Sequence, residues 1–181
     1  MITQIKVLLL SGFMMLFAAF IVNQQIKSVD IMGIKVFNLG NKKILVNEID
    51  DTHLLTDPDS IKKYMGSKEG IAFLIIDDSG KTAFDKVYAN YYKFDNKTSF
   101  DDIIAVIADD SSTKIIDQRI ENDHLFVLQK VENGFLDEPV FLASRFTKCF
   151  PYYLRIVGIW LGQDTMPSRI KRIMDSIEVR K

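Results

Sequence analysis

Cysteine and histidine are nearly missing from this chain. It has one cysteine, Cys149, and two histidines, His53 and His124. A single cysteine excludes an internal disulfide, and two isolated histidines with one cysteine do not give the ligand spacing of a zinc site. The sequence also lacks the glycine-rich loops that bind phosphates or dinucleotides and the G-x-S-x-G turn of many hydrolases. We therefore expect no metal site and no cofactor.

An excess of positive charge is missing too. The chain has 23 Lys and Arg against 24 Asp and Glu, which gives a formal net charge of −1. Nucleic-acid binding normally needs a basic stripe that displaces counterions from phosphates. The dense basic run at residues 169–172, with Arg180 and Lys181 beyond it, is typical of the solvated face of a terminal helix. We expect no nucleic-acid partner.

The strongest feature that is present is an uncharged apolar run, VLLLSGFMMLFAAFIV, at residues 7–22. As a helix it spans about 24 Å, which suits the core of a signal peptide or a short signal anchor. Cleavage beside its alanines would place Leu16 or Phe17 at the −3 position, where a small residue is needed. We therefore expect residues 1–25 to be a signal peptide or signal-anchor helix, with an uncleaved anchor favoured.

The position of this run resembles an export signal, so we expect residues 26–181 to lie outside the cytoplasm. The expected location is the inner membrane with the domain facing the periplasm, or the periplasm or exterior if the signal is cleaved. The chain is 48% hydrophobic and 26% charged, an ordinary globular composition. Residues 26–181 are enough for one domain with one core.

Apolar periodicity and turn residues predict the elements of the first half. Residues 31–48 alternate as two short strands around a turn at Gly40. Residues 56–66 fit a short helix with capping residues at both ends. The apolar run at residues 70–77 is predicted to be a central strand, whereas residues 84–94 fit either a strand or a helix.

In the second half, Ser99 is expected to cap a helix, after which the apolar period changes to two. Four consecutive strands are predicted at residues 114–121, 124–132, 139–150 and 152–162. A last helix is expected at residues 166–177, capped by Asp164 or Thr165. Consecutive strands with short turns pair antiparallel. We therefore predict a single α+β domain, an antiparallel β-sheet meander with helices packed on one face.

A capped helix, a four-stranded meander and a last helix ending in IMDSIEV, residues 173–179, resemble the PsbP-like family and its DcrB-type envelope relatives. The resemblance covers residues 98–181, and Ile173, Ser176 and Ile177 carry it at the end of the last helix. It implies an exported, non-enzymatic domain that acts by binding or assembly. It supplies no catalytic residues.

The stretch FLIIDDSGK, residues 73–81, contains the Asp-Ser-Gly sequence of an aspartic-protease loop. That chemistry needs two such aspartates that share a proton in one site, and the chain has one such loop. The ammonium of Lys81 would lower the pKa of the neighbouring carboxyl. Because Asp, Ser and Gly are also favoured turn residues, we interpret the stretch as a strand followed by a turn.

Acid pairs and tyrosines are the candidates for recognition. Paired acids recur along the chain, and an acidic face suits binding of another protein. Tyrosine is enriched at interface hot spots, so we expect the tyrosines to contribute to an exposed recognition surface, although alternation turns about half of the aromatic residues on strands towards the core. The candidate binding residues are Asp77, Asp78, Tyr91, Tyr92, Tyr152 and Tyr153.

Two functions are compatible with these patterns. The preferred prediction is a non-enzymatic, envelope-associated domain that binds another protein, in concrete form an immunity-type protein that neutralises a periplasmic toxin. The alternative is an exported hydrolase that uses Cys149 with His124, or a pair of carboxylates. Partners in a catalytic pair meet in space rather than in sequence, so the pattern leaves this alternative open.

Overall fold

The computed structural model describes residues 28–47, 49–66, 70–77, 85–93, 97–132 and 137–181. The apolar run and the predicted anchor at residues 1–25 lie outside this part, and so do Asp78 and the turn predicted after it. Within the described ranges, no helix has both the length and the apolar character that a membrane crossing requires.

Strands dominate the described residues, and short helices separate some of them. The strands are β1 (Ser28–Ile31), β2 (Ile34–Leu39), β3 (Lys42–Asn47), β4 (Thr52–Leu55), β5 (Ile71–Asp77), β6 (Lys86–Lys93), β7 (Thr113–Glu121), β8 (His124–Val131), β9 (Val140–Cys149), β10 (Tyr152–Leu161) and β11 (Ile177–Arg180). The helices are α1 (Pro58–Met65), α2 (Phe100–Ala108) and α3 (Ser168–Asp175).

The strands form two antiparallel sheets. One has four strands in the order β1-β2-β3-β11, and the other has seven in the order β4-β5-β6-β10-β9-β8-β7. The predicted meander of four consecutive antiparallel strands is confirmed as β7 to β10. The prediction of one sheet is wrong, because β1, β2 and β3 pair among themselves and with β11. The fold is mainly antiparallel β-sheet with some helix.

The end of the chain differs from its prediction. The last helix stops at Asp175, and Ile177–Arg180 leaves it to pair with β3. The apolar spacing that predicted a longer helix also fits a short strand, and pairing with β3 decides between them. The cap prediction is wrong as well, since Pro167 occupies the cap position without a side-chain hydrogen bond and neither Asp164 nor Thr165 serves there.

The predictions that rest on short local patterns are confirmed elsewhere in the chain. The β2–β3 turn is at Gly40, and the Asp57 carboxylate accepts from the Ser60 N–H over 2.7 Å at the start of α1. Ser99 caps α2 in a reciprocal capping box with Asp102. The ambiguous residues 84–94 contain strand β6, which lies between β5 and β10. Pairing on both sides therefore resolves what periodicity left open.

Both faces of the seven-stranded sheet are covered. Ile156 on β10 is in the same buried cluster as Ile170 of α3 and the core side of the four-stranded sheet. The next residue, Val157, is in the cluster of Ile61 from α1, and Tyr153 is in the cluster formed with α2. The prediction that all helices pack on one face is wrong, because β10 has buried apolar residues on both sides and each side needs a cover.

Candidate functional site

Three of the four tyrosines expected on an exposed recognition surface are buried. Tyr91, Tyr92 and Tyr153 expose 4%, 6% and 4% of their surface. Tyr152 is half-buried, and its ring meets that of Tyr91 edge-on, with centroids 6.0 Å apart. The expected exposure is wrong for the three buried residues because β6 and β10 are neighbouring inner strands covered on both faces. These side chains are core residues.

The chemically richest part of this interior is the surroundings of Arg155, which the sequence reasoning missed. Arg155 is fully buried on β10, where its Nε and Nη2 donate to Ser144 Oγ over 3.0 and 2.9 Å. Its guanidinium carbon lies 5.2 Å from the ring centroid of Phe146. Burial raises the pKa of Tyr88 to about 12, while the charge of Arg155 acts in the opposite direction. Arg155 thus places a positive charge beside phenols inside the protein.

Two amides on the same side of the sheet extend this polar interior. Asn90 donates to the Tyr92 hydroxyl, and Gln129 Nε2 donates to Thr113 Oγ1 over 3.1 Å. Within the described part of the chain, Asn90 Oδ1 and Gln129 Oε1 are buried without a hydrogen-bond partner. An unsatisfied buried acceptor costs about 1–3 kcal/mol. For Gln129 the sequence signal is a polar side chain at an inward position of a strand that is otherwise apolar on that side.

The residues of the hydrolase alternative lie on neighbouring strands. His124 is the register partner of Thr147, and its Nδ1 is 2.7 Å from Thr147 Oγ1. Cys149 lies two positions further along β9 and is fully buried. Burial raises the pKa of Cys149 to about 11, which opposes formation of the thiolate that a nucleophile needs. Burial, followed by the charge of Arg145, lowers the pKa of His124.

Strand pairing brings acidic residues together at one end of the seven-stranded sheet. Asp50 and Asp51 directly precede β4, and Thr52 at the start of β4 is the register partner of Asp77 at the end of β5. Asp85 directly precedes β6, on the other side of β5. In an antiparallel sheet these positions share one end. We call Asp50, Asp51, Asp77 and Asp85 the acidic end.

The turn that carries two of these acids is firmly held. Thr52 Oγ1 donates to the Ile49 carbonyl over 2.7 Å, and Arg169 Nη2 of α3 donates to the Asp51 carbonyl over 2.7 Å. Asp51 has a left-handed backbone with φ 66°, which Asp tolerates better than most residues. Asp50 and Asp51 are both exposed. The structure therefore presents these carboxylates to solvent on a fixed backbone.

Comparison with known proteins adds no assignment: no protein-family model matches the chain, and no curated protein matches it. The resemblance to the PsbP-like and DcrB-type proteins stays a prediction. In the part of the chain that the structure describes, no group of three or more His, Cys, Asp or Glu residues is arranged to hold a metal ion.

Proposed function

We propose that this chain is a non-enzymatic protein-binding domain, held in the cell envelope by the apolar run at residues 7–22. The observation that supports it is the acidic end, where strand pairing gathers acids that are separate in the sequence. Such an end is complementary to a basic surface on another protein. Charge complementarity of this kind steers association and selects partners.

The acidic end adjoins a strand that can accept another strand. Among the described residues, β4 (Thr52–Leu55) is the first strand of its sheet and has a strand neighbour on one side only. An edge strand offers unpaired backbone N–H and C=O groups, and added strands are a common mode of peptide recognition. A partner with an extended basic segment would use both features, pairing with β4 and placing its cations at the acidic end.

In concrete form, the proposed protein is an immunity-type protein whose partner is a basic toxin that acts in the periplasm. The apolar run supports this location, since it would hold the domain on the side of the membrane where such a toxin arrives. The exposed positions of Asp50 and Asp51 support the charge complementarity. The resemblance to exported domains that act by binding points in the same direction.

Crosslinking in cells tests the proposal. The full chain is expressed with a photo-crosslinking amino acid at position 50 or, as a matched control, at Asp109. Asp109 is an exposed acid at the end of α2, which contacts β7 at the opposite edge of the sheet. We expect a discrete adduct with one protein from position 50 and none from Asp109. Equal labelling from both positions, or no adduct, contradicts binding at the acidic end.

The captured protein is then purified and its affinity is measured against charge variants. The test variant combines Asp50→Lys with Asp51→Asn, because Asn keeps the tolerance of a left-handed backbone. We expect the dissociation constant to rise about tenfold or more at low salt, with a weaker dependence on salt. Asp109→Lys is expected to change it less than twofold. An unchanged affinity of the test variant would remove the acidic end from the interface.

A further inference from the structure

On its outer face, the four-stranded sheet carries an apolar row on β1, β2 and β3. Phe37 on β2 and Ile44 on β3 are fully buried, so Val36 and Leu45, the next residue on each strand, point away from the core. The register pairs Val36 with Leu45 on one side and with Val29 of β1 on the other. Register partners share a face, and these residues therefore form one apolar row across three strands.

A second apolar row lies beside the first, at the tip of the β1–β2 hairpin. Ile31 is paired with Ile34, and Met32 is in the turn between them. Val29, Ile31 and Met32 expose 54%, 52% and 100% of their surface. Contiguous exposed apolar surface marks an interaction site rather than ordinary scatter. We name this surface the apolar outer face: Val29, Ile31, Met32, Ile34, Val36 and Leu45.

Charge is unevenly placed along this sheet. Lys43, at the start of β3, is the register partner of Arg180, and both are exposed on the outer side. Arg180 also pairs with the carboxylate of Glu178 on its own strand. Asp50 and Asp51 follow the other end of β3. The cationic end of the sheet is complementary to anionic lipid headgroups. At a membrane surface, Lys and Arg can place their aliphatic carbons against apolar groups while the charge stays at the headgroups.

The chain enters the sheet at its cationic end. The register of β1 with β2 and of β2 with β3 places Ser28 next to the row that contains Lys43. The apolar run at residues 7–22 precedes Ser28 by residues 23–27, which reach at most about 18 Å when fully extended. A run anchored in a bilayer therefore keeps β1 close to the membrane surface. This step rests on the anchoring in the proposed function.

We infer that the apolar outer face lies against a lipid bilayer surface. Met32 and its neighbours Val29 and Ile31 enter the interface, while Lys43 and Arg180 meet anionic headgroups. The occupant is lipid because the sequence that leads into this sheet is the apolar run itself and because the cations stand at the end where the chain enters. Transfer of exposed apolar side chains from water to the interface supplies the driving force.

Depth-dependent fluorescence quenching tests this inference on the full chain. The protein is reconstituted in vesicles of phosphatidylcholine and phosphatidylglycerol, and an environment-sensitive fluorophore is attached through Met32→Cys. The fully buried Cys149 stays unlabelled in the folded protein. Lys114→Cys, at an exposed site on β7 of the other sheet, is the matched control. We expect brominated lipids to reduce emission from position 32 at least twofold and to leave position 114 unchanged.

Flotation of the vesicles separates failure of this inference from failure of the proposed anchoring. If the protein floats with the vesicles and position 32 is not quenched, the apolar outer face does not contact lipid and the anchoring stands. A blue-shifted emission at position 32 without quenching means that residues 1–27 or a second copy of the chain covers the face, which also overturns the inference. If the protein does not float, the anchoring fails and the inference fails with it.

Discussion

Gly40, in the turn between β2 and β3, lies directly against the backbone of Phe150, in the turn between β9 and β10. A Cβ added at residue 40 would overlap the carbonyl oxygens of Cys149 and Phe150. The Asn41 N–H donates to the Phe150 carbonyl over 3.1 Å. The backbone of Gly40 is also left-handed, with φ 58°. This contact joins the two sheets through their turns, and it requires glycine for two separate reasons.

Replacing Gly40 should therefore loosen the junction between the sheets. For Gly40→Ala we expect the free energy of unfolding to fall by about 2–3 kcal/mol, because the new Cβ meets backbone atoms that have little freedom to move. Urea denaturation followed by circular dichroism measures the change. Gly33→Ala is the matched control, since Gly33 has φ 79° but no atom near an added Cβ. Its expected cost is about 1 kcal/mol from the backbone alone. Equal costs in the two variants would contradict the contact.

A second glycine sets the distance between α3 and the seven-stranded sheet. A Cβ at Gly158 of β10 would stand 2.5 Å from Ile170 Cγ2 and 2.9 Å from Met174 Sδ. We expect Gly158→Ala to lower the free energy of unfolding by about 1–3 kcal/mol through overpacking. In the double variant with Ile170→Ala, the added methyl occupies vacated space, so the combined cost should be smaller than the sum of the single costs. Additive costs would show that the two residues do not touch.

Alkaline pH should destabilise the fold, because a thiol and a phenol are buried in their protonated forms. Burial raises the pKa of Cys149 to about 11 and that of Tyr88 to about 12, above their ordinary values of 9.0 and 10.0. A raised folded-state pKa gives stability that is complete below the ordinary value and is lost as the pH rises towards the folded value. We therefore expect the urea midpoint to be steady up to about pH 9 and to fall between pH 9 and 12.

Tyr88→Phe isolates one contribution to this fall. The variant keeps the ring in the core and removes the proton that the phenol loses on unfolding. We expect a shallower decline of the urea midpoint above pH 10, with the part below pH 10 unchanged. A profile that matches the parent protein throughout would mean that the Tyr88 phenol titrates as an exposed group does.

The hydrolase alternative has its own test. We expect Cys149→Ala and His124→Gln to leave the cellular phenotype intact, because the buried thiol has a raised pKa and His124 Nδ1 contacts Thr147. Circular dichroism spectra check that each variant is folded. The phenotype should instead be lost in the variant with Asp50→Lys and Asp51→Asn. A folded Cys149 or His124 variant that loses the phenotype would favour the enzyme and count against the protein-binding proposal.

Sequence reasoning succeeded where the signal is local. The caps at Asp57 and Ser99 need only a few neighbouring residues, and both are present. It failed where distant pairing decides the outcome. The residues of β11 fit a helix or a strand until β3 is available to pair with them. From the sequence, a charged residue such as Arg155 is expected to be exposed. It is instead fully buried, because it lies on an inner strand of a sheet that is covered on both faces.

The acidic end could not be predicted from the sequence for the same reason, because it depends on pairing between distant residues. The acid pairs at Asp50 and Asp77 are visible in the sequence, but periodicity does not say which strand ends meet. Only the register of β4 with β5 brings them to one place. For the tyrosines, the sequence predicted exposure where the structure shows burial. Tyr91 and Tyr92 suit an interface or a core equally well, and the cover on both faces of β6 decides for the core.

The pairing of β3 with β11 also governs when the protein finishes folding. Asn47 Nδ2 donates to the Ser176 carbonyl, although the two residues are 129 positions apart in the chain. During synthesis, β1, β2 and β3 leave the ribosome long before β11 does. Contacts between residues so distant in sequence form late and slowly. The four-stranded sheet is therefore completed only after the rest of the domain has been synthesised.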